Sequence, residues 1–150
     1  MAIKRHHALK EFSKDHHQAL LLCWKIQVGF SKGIAVGRIK AYSDWFYENH
    51  ILEHFQKEEK YMFPVLGNEH KLIVQALNEH KILLALFTDT ILIEDSLKKI
   101  QTLLKNHIRF EEQILFNEIQ SAASLQELEI IEKFHRDEGF VENLSDIFWK

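Results

Sequence analysis

Two short stretches hold the residues best suited to chemistry. His54-Phe55-Gln56-Lys57-Glu58-Glu59 and His107-Ile108-Arg109-Phe110-Glu111-Glu112 share one pattern: His, three residues, Glu, Glu. On an α-helix, residues four apart point within about 40° of each other. Each histidine therefore shares a face with the first glutamate of its copy. Both faces are apolar: Tyr47, Ile51, Met62 and Val65 keep the phase of the first copy, and Leu97, Ile100, Leu104 and Ile114 that of the second. An imidazole and a carboxylate are thus aimed where a core should form. A buried carboxylate without a partner is expensive, and a metal ion would neutralise it.

Two more histidines join them. His16 heads a stripe of Leu20, Cys23, Gln27 and Phe30, and His80 interrupts the apolar face of Ile73, Ala76 or Leu77, Leu83 or Leu84, Phe87 and Ile91. A lone histidine on such a stripe is more often a hydrogen-bonded core residue than a ligand. Six inward polar residues on four helices (His16, His54, Glu58, His80, His107 and Glu111) are a different matter, because core positions rarely hold Glu unless it is paired or metal-bound. Mixed imidazole and carboxylate donors favour iron, manganese or zinc over calcium or magnesium. Four His and two Glu exceed what one tetrahedral ion takes. They suit two ions bridged by the carboxylates, as known in bundle cores.

The elements that must position these residues are helices. The chain has 150 residues, one domain by length, with only five Gly and one Pro and no clear strand pattern. The spacing predicts a lead-in arm over residues 1–12, then a first helix from an N-cap at Ser13 to about Gly33. A second runs from the region 34–38 to about Phe63, halted by Pro64. A third spans about Glu69 to Ile93, and a fourth follows a break at Asp95-Ser96 and ends near Gln120. Ser124-Leu125-Gln126-Glu127 has the form of a capping box and opens a fifth helix ending at Gly139. The apolar tail from Phe140 to Trp149 is expected to dock as a short helix, on the bundle or on a second subunit as a homodimer. The fold expected is all-α: a four-helix up-and-down antiparallel bundle over about residues 9–120, with a C-terminal helical extension over about 124–150.

Charge and composition narrow the function classes. A formal net charge of −3 gives no electrostatic case for nucleic acid. No uncharged run reaches the roughly 20 residues of a membrane span, and the basic start leads into no apolar signal core. Cys23 is alone, which excludes an internal disulfide and is compatible with a cytoplasmic protein. It reads as a small buried hydrophobe. His6, His7 and His135 read as surface residues, and Trp24, Trp45 and Trp149 as core or interface residues.

The motifs as a set resemble the hemerythrin-like (HHE cation-binding) domains. The matching pieces are Asp15-His16, His54-x-x-x-Glu58-Glu59 followed by Phe63-Pro64, Glu79-His80, and His107-x-x-x-Glu111-Glu112 followed by Leu115-Phe116. The resemblance implies a non-haem di-iron centre. In it His16 and His54 would ligate one iron, His80 and His107 the other, and Glu58 and Glu111 would bridge. Oxygen-carrying hemerythrins present two His four apart on the third helix, where this chain has Ala76 or Leu84 beside His80, and they use Asp in place of Glu111. One iron is then short of a protein ligand, for which His50, His70 and His17 are candidates. Asp15, Glu59, Glu79 and Glu112 are candidates to orient the histidines, and a solvated face is their alternative. Three function classes follow: a di-iron protein that binds or senses oxygen, nitric oxide or peroxide; a di-iron redox enzyme or an iron donor for iron–sulfur cluster repair; and a non-catalytic helical interaction module with a structural metal such as zinc, or none. The reading favours the first, a binding function rather than an enzyme.

Overall fold

The computed structural model describes residues 4–135 and 139–150. Its seven α-helical segments among those residues are α1 (Lys10–Ser31), α2 (Val36–Phe46), α3 (Leu52–Lys57), α4 (Lys71–Phe87), α5 (Ile93–Phe110), α6 (Phe116–Ala122) and α7 (Leu125–Phe134). They make four rods and an added helix. The second rod is continuous from α2 through α3 to Val65, with π-helical turns at Tyr47–Ile51 and Glu58–Met62. The fourth runs from α5 through a π-helical turn at Glu111–Leu115 into α6. These rods form the helical bundle expected, with α7 as the additional C-terminal helix.

Several boundaries differ from the sequence expectations. α1 starts at Lys10, after a 3-10 turn at His7–Leu9 whose cap is the His6 side chain accepting from the Ala8 amide. Ser13 thus lies inside the helix. α4 ends at Phe87, and the break falls at residues 88–92 rather than at Asp95-Ser96. There the Asp89 carboxylate accepts from the Ile91 and Leu92 amides and from the Ser96 hydroxyl, so Ser96 pins the loop from within α5. The capping box forms in full, with Ser124 and Glu127 each satisfying the other's amide. α7 stops at Phe134, and the expected extension to Gly139 includes residues 136–138, which lie outside the described ones.

The C-terminal tail is not helical. Residues 139–150 run as an irregular strap along the bundle. Phe148 is buried, with Glu142 bonded to the Lys25 ammonium and the Tyr42 hydroxyl and Asp146 bonded twice to Arg38. Lys25 is itself buried, its ammonium 4.2 Å from the centre of the Trp149 ring. Trp24 and Leu20, by contrast, face outward.

Two apolar clusters fill the bundle. One gathers Ala19, Leu22, Ile26, Phe46, Phe55, Leu83 and Leu104 with their neighbours. The other gathers Leu9, Phe12, Met62, Phe63, Ile73, Ala76 and Phe116 with theirs. His16 falls in the chain between Phe12 of one and Ala19 of the other, His80 between Ala76 and Leu83, and His107 between Leu104 and Phe110. The chemistry-bearing residues thus form a polar layer separating two dry ones. No helix among the described residues is long and apolar enough to cross a membrane.

Candidate metal centre

His16, His54, Glu58, His80, His107 and Glu111 are all buried, with both glutamates at 0% exposure. They converge in two overlapping groups. One comprises His16, His54, Glu58 and Glu111 and the other Glu58, His80, His107 and Glu111, with donor atoms within 4.8 Å of one another in each. Glu58 stands between the groups: its Oε2 lies 3.2 Å from His54 Nε2 and 3.7 Å from His16 Nε2, and its Oε1 lies 3.2 Å from His80 Nε2. Glu111 is the counterpart, with Oε1 at 3.0 Å from His16 Nε2 and 3.3 Å from His107 Nε2, and Oε2 at 4.0 Å from His80 Nε2.

Local backbone geometry serves both glutamates. Each starts a π-helical turn, its carbonyl accepting from the residue five ahead: Phe63 for Glu58 and Phe116 for Glu111. Such single turns insert one extra residue into a helix and recur at functional sites. Here they fall at the same place in the two sequence copies. Stacking holds the rings. Phe55 lies 3.8 Å from the centre of His80 at an interplanar angle of 9°, and Phe116 stacks on His16.

Each of the four converging histidines turns its Nδ1 outward to a carboxylate. His54 donates to Asp15 at 2.8 Å, His80 to Glu59 at 2.8 Å, His107 to Glu79 at 2.6 Å and His16 to Glu112 at 2.7 Å. Each acid lies on the rod preceding that of its histidine, and the cycle closes from the fourth rod to the first. A proton fixed on Nδ1 points the Nε2 lone pair of the neutral ring inward, the usual arrangement behind metal-bound histidine. Asp15 also accepts from His135 Nε2 at 2.6 Å. His135 is therefore not a free surface residue as the sequence suggested. It was missed because α7 brings it 120 positions back along the chain.

The three further candidates stand elsewhere. His70 caps α4, its Nδ1 accepting from the Leu72 amide. His17 is exposed. His50 packs among Trp45, Phe46 and Phe140 in the second rod, outside both groups. A π-helical turn at Tyr47–Ile51 separates its phase from that of His54. Ala76, one turn before His80, is buried in an apolar cluster, so the third rod contributes His80 alone. Tyr61 stacks on Phe134, and Cys23 is a buried thiol pushed up to about 12 by burial.

Residues 6–119 match the family described as Hemerythrin HHE cation binding domain. The chain belongs to that family. No curated protein and no solved structure matches it. The matched region of this HHE domain holds all six converging residues and all four outer carboxylates, whereas His135 and the strap lie beyond it.

The donor set can be tested for fit with cations. Nε2 of His54, His80 and His107, both Glu58 oxygens and Glu111 Oε2 are buried without a hydrogen-bond partner. Buried polar atoms are nearly always paired. Six such atoms facing one another, all imidazole nitrogen or carboxylate oxygen, are what cations would satisfy, so the residues fit. Protons are the alternative. Burial disfavours a charged imidazole, yet the facing carboxylates outweigh it and raise His54 to about 9 and His107 to about 10, with His16 and His80 raised too. Glu58 moves well below the usual carboxylate range, burial being overcome by His54, His16 and His80.

Proposed function

We propose that this HHE domain binds two bridged, non-haem iron ions and uses them to bind or sense a small oxidant or diatomic molecule: oxygen, nitric oxide or peroxide. The observation that carries this reading is the division of Glu58. Its two oxygens face different histidines and neither has a hydrogen-bond partner. In the proposal His16 and His54 would hold one ion and His80 and His107 the other, with Glu58 and Glu111 placed to serve either. Mixed nitrogen and oxygen donors in a bundle core suit iron; zinc and manganese are the competing occupants. Iron, when bound, would supply a redox-active Lewis acid for such a ligand. The chain does the rest. Asp15, Glu59, Glu79 and Glu112 hold the imidazoles in one tautomer, and the phenylalanines around His80 and His16 keep bulk water out. Methyl and aliphatic carbons at Ala76 and Leu84 beside His80 leave that side of the third rod without a nitrogen donor.

Anaerobic loading with ferrous iron, followed by elemental analysis, tests the reading. About two irons per chain are expected, with a near-ultraviolet charge-transfer band after oxidation that shifts on adding azide. Glu58→Ala and Glu111→Ala should each lose iron while the far-ultraviolet helical signal persists. Protein that takes zinc but refuses iron, or that keeps iron in both variants, would overturn it.

A further inference from the structure

Between α1 and the second rod lies a cavity of about 590 Å³ whose floor is the His16, His54 and His107 edge of the polar layer. Its walls are ring and aliphatic carbon from Phe46, Ile51, Phe55 and Phe140. A diatomic molecule needs a small fraction of that space, whereas cavities of this size usually enclose organic ligands. The rim carboxylates are already matched: Glu53 pairs with Lys57 at 3.0 Å, Glu11 with Lys14 at 3.0 Å, and Asp15 is held by His54 and His135, while Lys10 adds a further cation to the rim. A cationic ligand would find no unmatched carboxylate among these groups.

Two polar atoms on the wall have no partner. His50 Nε2 is buried and has no hydrogen-bond partner, while the ring is held by Phe46 at 5.1 Å and Phe140 at 4.8 Å between centres. His135, on the same cavity, has its Nδ1 buried and unpartnered as well. Burial pushes His50 below its ordinary value, against the pull of Asp15, Glu53 and Glu142, which favours the neutral ring. A neutral imidazole nitrogen either donates or accepts according to its tautomer, and a hydroxyl does both. Aromatic walls favour a flat apolar body.

We propose that this cavity is a binding site for a neutral aromatic alcohol of about two rings, its hydroxyl on His50 Nε2 and its ring body against the cavity-facing side of Phe140. The site does not depend on the metal reading, because neither of these residues is among the six converging ones. A ligand there would lie beside His54 and His16, and so at the approach to the metal centre.

The probe is 2-naphthol, followed by its fluorescence and by amide shifts in NMR spectra, with full-length protein in metal-free and zinc-loaded forms. Saturable binding is expected in both forms, with shifts centred on Ala19, His50 and Phe140. 2-Methylnaphthalene, which has no hydroxyl, should bind about tenfold more weakly. His50→Phe should remove that preference while leaving the apolar probe's affinity within about twofold, and Phe140→Ala should weaken both probes. Absence of saturation up to about 1 mM, shifts centred elsewhere, or a hydroxyl preference that survives His50→Phe would overturn the proposal. Iron stoichiometry is read separately on the same preparations, so failure of the metal reading and failure of this one are distinguishable.

Discussion

Asp15 Oδ2 accepts hydrogen bonds from His54 Nδ1 at 2.8 Å and from His135 Nε2 at 2.6 Å. One carboxylate oxygen thus ties the first rod to the second and to α7. Burial opposes its charge, but the two imidazoles outweigh that and hold Asp15 well below the usual carboxylate range. It remains ionised throughout the physiological range and steadily polarises His54.

Asp15→Asn keeps the shape and an accepting oxygen but removes the charge. Carboxylates behind metal-bound histidines typically contribute 10–100-fold in metal affinity. We expect Asp15→Asn, and Glu79→Gln behind His107, each to lose iron about tenfold or more faster to a competing chelator, with little change in helicity. Wild-type retention in both variants would show that the outer acids are structural only.

The inward phase of the six polar residues was legible in the sequence because it follows from spacing along single helices. His54 and Glu58 are four apart, and so are His107 and Glu111. The pairing of outer carboxylates was not. Glu112 serves His16 across 96 positions and Glu59 serves His80 across 21. Which acid meets which ring depends on the order of rods around the bundle, which no local pattern encodes. The π-helical turns at Glu58 and Glu111 were hidden for a related reason: they add one residue to the local turn, and an apolar stripe tolerates that shift. The tail misled because Phe140, Val141, Leu144 and Phe148 have near-helical spacing, yet Glu142 and Asp146 are drawn to Lys25 and Arg38 on the bundle. A buried Lys25 is visible only once its partners are in place.

Protonation of the metal-free site sets its pH dependence. His54 and His107 are raised to about 9 and about 10, above an unfolded value near 6.5. A raised value means stabilisation that is full below about pH 6.5 and lost as pH climbs through 9 to 10. Metal-free protein should therefore melt at a lower temperature at pH 10 than at pH 6.5. Metal ligation needs the neutral rings, so binding at pH 7.5 should release about two protons or more. Calorimetry in buffers of different ionisation enthalpy measures that number, and a value near zero would contradict the assigned protonation.

Gly29 marks where α1 meets α2 and the strap. A methyl group there would lie 2.7 Å from Ile39 Cδ1 and 2.9 Å from Phe148 Cε1. Ile39 and Phe148 are both buried, so neither yields freely. Overpacking of this kind costs about 1–3 kcal/mol, partly offset by alanine's helix propensity of about 1 kcal/mol over glycine. Gly29→Ala should thus be destabilising by up to about 2 kcal/mol in urea denaturation, and Phe148→Leu in the same chain should recover part of the loss. A stabilised Gly29→Ala would mean that the strap gives way at Phe148 with little resistance.

The strap itself should be acid-labile. Glu142 is held below the usual carboxylate range, burial being outweighed by the Lys25 ammonium and the Tyr42 hydroxyl. Asp146 is lowered likewise by Arg38. A depressed value contributes stability that is present above the unfolded value of about 4 and lost as pH falls through the folded one. Amides of residues 139–150 should consequently exchange faster below about pH 4, after correction for intrinsic rates, while those of α4 and α5 stay protected. Glu142→Gln leaves the buried Lys25 ammonium without its anionic partner and should release the strap already at neutral pH, at about 2 kcal/mol. Because Phe140 stands at the start of the strap and on the cavity wall, the same variant should also loosen that wall. Unchanged exchange of residues 139–150 in Glu142→Gln would show that Phe148 and Trp149 hold the strap by packing alone.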